Sequence, residues 1–148
     1  MATDSTLNKL RKYCAYQERC HEEVRTKLLS LKVYGKELEE VMSKLIEEDF
    51  LNEERFAKTF AGGKFRMLKW GKEKITRELK ARKVSEYCIK KALKEIDDDE
   101  YEKTFHKLLA SAKKKYATKN PFETKNKIAK FLISKGYAGN YVWGKIKD

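Results

Sequence analysis

The sequence predicts an all-α protein, an elongated and curved array of tandem three-helix repeats, and three observations carry that expectation. Helix breakers are scarce: 148 residues contain one Pro and seven Gly, while Lys, Glu, Leu, Ala and Arg, all good helix formers, dominate. Apolar residues recur every three or four positions, and no stretch alternates with the period of a strand. A five-position apolar series also repeats. Val24, Leu28, Val33, Leu38 and Met42 are followed 51 residues later by Ile75, Leu79, Val84, Ile89 and Leu93, and 53 after that by Ile128, Leu132, Tyr137, Val142 and Ile146. All fifteen positions are apolar in a chain that is 41% hydrophobic, which marks an internal repeat.

Taken in order, each element has a local reason. Residues 1–20 read as a leading helix. Within each series, steps of four keep a pair on one helix face, and the step of five between pairs marks a tight connection between two short helices. Helices this short need tertiary packing to persist. Repeat 1 spans 21–69 and closes with a third helix carrying Phe56 and Phe60. Its start is signalled by Asn52, a capping residue followed by two acids, Glu53 and Glu54, that suit the positive end of a helix dipole. Gly62-Gly63 is expected to interrupt this helix, each Gly costing about 1 kcal/mol relative to Ala. Repeat 2 spans 71–117, with Ser85 as a cap and Phe105, Leu108 and Leu109 on its third helix. The partial repeat 3, 121–148, opens on Asn120-Pro121-Phe122-Glu123, a cap followed by a first-turn Pro and a Glu three residues on. It turns at Gly136, a natural left-handed residue.

Composition narrows the function. Leu, Ile, Val and Phe total 33 of 148 residues, which suits several small cores better than one large one. No apolar run is long enough to span a bilayer, and the N-terminus lacks the apolar segment of a secretory signal. Three cysteines, Cys14, Cys20 and Cys88, cannot all pair, which favours a reducing cytoplasm. Cys14, Cys20 and His21 lack the spacing of a metal cluster, His21 and His106 have no nucleophile motif nearby, and no phosphate-binding Gly-rich loop occurs. An enzyme is not expected, nor a metal or cofactor.

Charge is the positive signal. The chain carries 35 basic and 23 acidic residues for a net +12, which attracts polyanions. The excess is blocked: residues 1–61 sum to −1, 62–83 to +7, 84–102 to −4 and 103–147 to +11. The first basic block includes Lys64, Arg66, Lys69, Lys72, Lys74, Arg77 and Arg82, and its arginines suit phosphate or carboxylate forks. Lys113, Lys114 and Lys115 stand in the second. Phe65, Trp70 and Tyr116 lie in or beside these runs, either as packing anchors or as platforms for bases.

The same segments carry a family resemblance. Phe50-Leu51-Asn52-Glu53-Glu54-Arg55-Phe56-Ala57, then a basic linker, then Gly71, Ile75, Glu78 and Leu79, resemble the central motif of the RecX family of bacterial recombination regulators. Glu23, Val24, Lys27 and Leu28 resemble its opening, and Ile128, Leu132, Gly136 and Tyr137 its last unit. The family often has Gly before the apolar residue of each turn; Gly136 keeps it, and Lys32 and Lys83 replace it. The resemblance implies an array of three-helix units that binds the RecA–single-stranded DNA filament and restrains its recombinase, ATPase and co-protease activities, without catalytic residues. The expected contact surface is Lys64, Arg66, Lys69, Lys72, Lys74, Arg77 and Arg82, assisted by the lysines of 113–130. The partners are then the filament and single-stranded or duplex DNA, and the chain acts as a monomer away from membranes. A helix-turn-helix DNA-binding protein and a helical scaffold for an acidic protein partner are the alternatives.

Overall fold

The computed structural model describes residues 2–147; Met1 and Asp148, the outer ends of the expected first and last segments, lie outside them. Among the described residues the chain forms nine α-helices and no strand: α1 (Ala2–Tyr16), α2 (His21–Ser30), α3 (Gly35–Glu47), α4 (Glu53–Leu68), α5 (Lys72–Ala81), α6 (Glu86–Lys94), α7 (Asp98–Lys115), α8 (Pro121–Ser134) and α9 (Gly139–Ile146). The all-helical expectation holds. None of these helices is long and apolar enough to cross a membrane.

The caps read from the sequence close the helices. Asn52 Oδ1 accepts from Arg55 N at 2.9 Å, Ser85 Oγ from Cys88 N at 3.3 Å, and Asn120 Oδ1 from Phe122 N at 3.0 Å. Each satisfies an amide that has no partner inside its helix. Asp97 caps α7 by accepting from Glu100 N at 3.0 Å. Three acids at the start of α7 and Lys113–Lys115 at its end complement the helix dipole. Gly62-Gly63, in contrast, does not interrupt a helix: α4 runs unbroken from Glu53 to Leu68. Ala61 and Phe65 on either side are buried, and their packing outweighs the propensity cost of the glycines.

The step of five has one geometry in all three places. Lys32, Lys83 and Gly136 are left-handed, with φ of 62°, 61° and 107°. The following amide reaches back five residues: Val33 N donates to Leu28 O at 3.0 Å, Val84 N to Leu79 O at 3.1 Å, and Tyr137 N to Leu132 O at 3.3 Å. This is the Schellman ending, in which an apolar residue after the turn covers the helix it has just left. Val33, Val84 and Tyr137 are accordingly buried. Lysine holds the turn without glycine's freedom, at a cost of roughly 1–2 kcal/mol each.

The chain divides into two compact units, Met1–Phe60 with Leu79–Ala92, and Ala61–Glu78 with Leu93–Asp148. In unit 1, Leu7 and Leu10 of α1 meet Val24 and Leu28 of α2 and Leu38, Val41, Met42 and Leu45 of α3. The thiols of Cys14, Cys20 and Cys88 are free and buried; burial pushes those of Cys14 and Cys20 up from the ordinary thiol range, which makes them poor nucleophiles. In unit 2, Phe105 and Leu109 of α7 pack with Ile128 and Leu132 of α8 and Val142 and Ile146 of α9 around Tyr137.

Candidate nucleic-acid interface

The first basic block becomes the end of α4, a turn at 69–71, and α5. Within unit 2 this turn is fastened by main-chain groups. Gly71 N donates to Lys135 O at 2.8 Å and Glu73 N to Gly136 O at 2.9 Å. Lys72 N donates to Tyr101 Oη at 2.8 Å, and Tyr137 Oη donates to Lys69 O at 3.1 Å. Thus the first amides of α5 are satisfied by the α8–α9 turn and a tyrosine hydroxyl, rather than by a capping side chain. The two turns approach so closely that a Cβ on Gly71 would collide with the backbone of Gly136 and Tyr137. Burial raises the Tyr101 and Tyr137 hydroxyls above the ordinary phenol range, so both stay neutral, Tyr101 accepting from Lys72 N and Tyr137 donating to Lys69 O.

On this frame the predicted cations separate into groups. Lys64 and Lys74 place their ammonium groups 5.3 and 4.6 Å from the centre of the Trp70 ring, a cation–π arrangement. Lys72 lies 4.8 Å from the Tyr101 ring and 3.8 Å from Asp98. Arg77 is exposed on α5. Arg82, in unit 1, stacks over Phe60 at 4.8 Å. Lys113, Lys114 and Lys115 are exposed on the last turn of α7, roughly 20 Å along the helix from its start at about 1.5 Å per residue. They are far from Lys72, which meets the first turn.

Arg66 and Lys69 are brought together with two residues the sequence reading did not single out. They line an open groove of about 260 Å³ with Lys103, Thr104 and Lys107 of α7, over a floor of Phe65 and with Glu100 at its edge. Lys103 and Lys107 stand one helical turn apart, and that i, i+4 spacing was the available signal. Of the aromatic residues, Phe65 is buried and packs on Tyr101 with ring centres 5.7 Å apart. Tyr116 packs on Phe131 at 5.6 Å. Both are anchors. No cluster of His, Cys, Asp and Glu among the described residues is arranged to hold a metal.

Comparison with known proteins bears on what this surface serves. Residues 52–93, which hold α4 to α6, match the family model described as RecX, second three-helix domain. The chain is 30% identical over 129 residues to the regulatory protein RecX of Lactococcus lactis subsp. cremoris, covering 85% of this chain and 48% of that one. It is 28% identical over 142 residues to the regulatory protein RecX of Finegoldia magna, covering 93% and 66%. The chain is thus similar in sequence to regulatory RecX proteins over most of its own length. It spans about half the length of the Lactococcus RecX and two-thirds of the Finegoldia one. The fold agrees: a RecX crystal structure from Lactobacillus salivarius superposes with a TM-score of 0.85 at 22% identity, over 98% of this chain and 96% of that one. A second crystal structure, of a regulatory protein RecX, gives 0.87 at 19% identity, over 99% and 71%. The family model takes α4, α5 and α6 as one three-helix domain of RecX, whereas the apolar series groups α4 with the two helices before it.

Proposed function

We propose that this chain regulates a bacterial recombinase by binding the RecA–single-stranded DNA filament and restraining its ATP hydrolysis, strand exchange and co-protease activity. The observation that carries the reading is the groove in unit 2. It concentrates four cations that have no ion-pair partner among the described residues, beside the single acid Glu100, in a chain whose relatives are named regulatory protein RecX. Three-helix modules each making a modest contact would raise overall affinity by multivalency, and the repeats 21–69, 71–117 and 121–148 are the proposed modules. The role is non-catalytic. His21 and His106 stand 3.7 Å from Glu53 and Glu102, so each faces a carboxylate rather than a nucleophile. The protein works as a monomer in the cytoplasm, where the filament forms.

The test is RecA's DNA-dependent ATPase, measured with increasing amounts of this chain. Inhibition that persists when single-stranded DNA is in excess supports action on the filament. Inhibition that vanishes under excess DNA indicates competition for DNA, the behaviour of a plain helix-turn-helix binder. Binding to neither filament nor naked DNA at low salt would leave a scaffold for an acidic protein.

A further inference from the structure

We propose that the groove between the end of α4 and the face of α7 is a seat for the phosphodiester backbone of a single nucleic-acid strand. This deepens the function proposed above and rests on it only for the identity of the strand's owner. Four cations line the groove from two elements, Arg66 and Lys69 on one side and Lys103 and Lys107 on the other, against one acid, Glu100. None of the four has an ion-pair partner among the described residues. Other lysines of the same unit are neutralised locally: Lys72 by Asp98 at 3.8 Å, Lys127 by Glu123 at 3.4 Å and Lys145 by Glu102 at 3.5 Å. The groove therefore keeps charge that the fold does not consume.

Its shape favours one strand. The floor is Phe65, 5% exposed and held against Tyr101. A fixed apolar floor beneath walls of one sign focuses their field. The volume, about 260 Å³, falls below the roughly 300–1,000 Å³ of pockets that enclose a small molecule. It accommodates a phosphate and part of a sugar while the bases stay outside. Lys103 and Lys107 have Cβ atoms about 5–6 Å apart, as one-turn neighbours do, so they can meet successive phosphates. Arg66 supplies a planar fork for phosphate oxygens, and Thr104 adds a hydroxyl. The cations come from two separate elements, so a chain must lie in the groove to meet both pairs. A lone strand can enter, whereas a duplex, each backbone braced by its partner, meets only the rim. Contacts of this kind fix position without reading sequence.

The experiment measures binding of a labelled oligothymidylate by fluorescence anisotropy at several salt concentrations, using the full chain. Lys103→Glu with Lys107→Glu is compared with Lys90→Glu with Lys94→Glu, the same charge change at the same spacing on α6, on exposed residues outside the groove. Circular dichroism confirms that both are folded. The groove variant is expected to lose about ten-fold or more in affinity, and its slope of log K against log salt to fall by about 1.4, at roughly 0.7 per phosphate contact on a single strand. The control is expected to lose less than about three-fold. Equal losses in the two variants would overturn the seat, as would tighter binding to duplex than to single strand, or stronger displacement by polyglutamate than by unlabelled oligothymidylate. Glu100→Gln should tighten binding, and weakening would count against the seat. Parallel RecA ATPase assays separate this proposal from the function. Wild-type inhibition with unimpaired strand binding by the groove variant removes the seat alone. Strand binding through the groove without any effect on RecA removes the function alone.

Discussion

The two compact units spend their arginines differently. In unit 1, Arg11 grips Glu48 with two bonds of 2.7 Å, and Arg25 holds Glu39 at 2.6 Å. Arg55 bridges Glu18 at 2.7 Å and Asp49 at 3.1 Å while donating to the Asp49 carbonyl. In unit 2, Arg66 has no such partner among the described residues and stands with Lys69, Lys103 and Lys107 beside a single glutamate. The contrast teaches that a cation's worth cannot be read from its presence. Where carboxylates surround it, it serves the fold; where they do not, it remains available to a ligand.

The largest expected break in that contrast is at the frame beneath the free cations. Gly71→Ala should destabilise unit 2 by about 2–3 kcal/mol, because the new methyl meets main chain that cannot step aside. Chemical denaturation should register this as a lower midpoint, with oligonucleotide binding lost alongside. Next come the arginines themselves. Arg55→Ala is expected to cost about 1 kcal/mol after solvent screening of a partly exposed network, whereas Arg66→Ala should stay within about 0.5 kcal/mol yet weaken strand binding. Equal stability costs would erase the distinction.

A smaller effect concerns two left-handed lysines, Lys32 in unit 1 and Lys69 in unit 2, with φ of 62° and 60°. Replacing either with Gly should stabilise the protein by about 0.5–1 kcal/mol, the relief of strain exceeding the added freedom of the unfolded chain. Only Lys69→Gly should also reduce nucleic-acid affinity. The smallest effect is on pH. Hydrogen bonds from Arg25 and Arg11 hold the carboxyls of Glu39 and Glu48 below the ordinary 4.5, so their contribution is present above that value and fades as pH falls through the lowered midpoints. In unit 2 the Tyr141 hydroxyl, ahead of Lys145, does the same for Glu102. Carboxyl NMR titrations should find all three below 4.5; a midpoint at or above it would remove that ion pair or hydrogen bond from the account.

Much of the fold was legible because it is local. Fourteen of the fifteen positions in the apolar series are buried. The exception, Leu93, is half-buried, with its neighbour Ala92 fully inside. Caps at Asn52, Ser85 and Asn120 act within three residues of themselves, so residue types alone reveal them. The groove was only half legible. Arg66 and Lys69 stood out in a dense basic run, but Lys103 and Lys107 reach them through tertiary packing that no local pattern encodes. The fastening of Gly71 to the α8–α9 turn joins main-chain atoms more than sixty residues apart, and two glycines are its only trace. Gly62-Gly63 misled for the opposite reason: propensity is a local quantity, and buried neighbours on both sides overrode it.

That fastening has a consequence for how recognition can change. The basic turn is tied down through carbonyls, amides and two tyrosine hydroxyls, none belonging to the side chains of Arg66, Lys69, Lys72 or Lys74. The side chains of Arg66 and Lys69 are therefore interchangeable cargo on a mount that does not depend on them, whereas Lys72 and Lys74 also pack on Tyr101 and Trp70. Lineages, or protein engineers, can rewrite what the turn grips one residue at a time, provided the glycines at 71 and 136 and the two tyrosines stay in place.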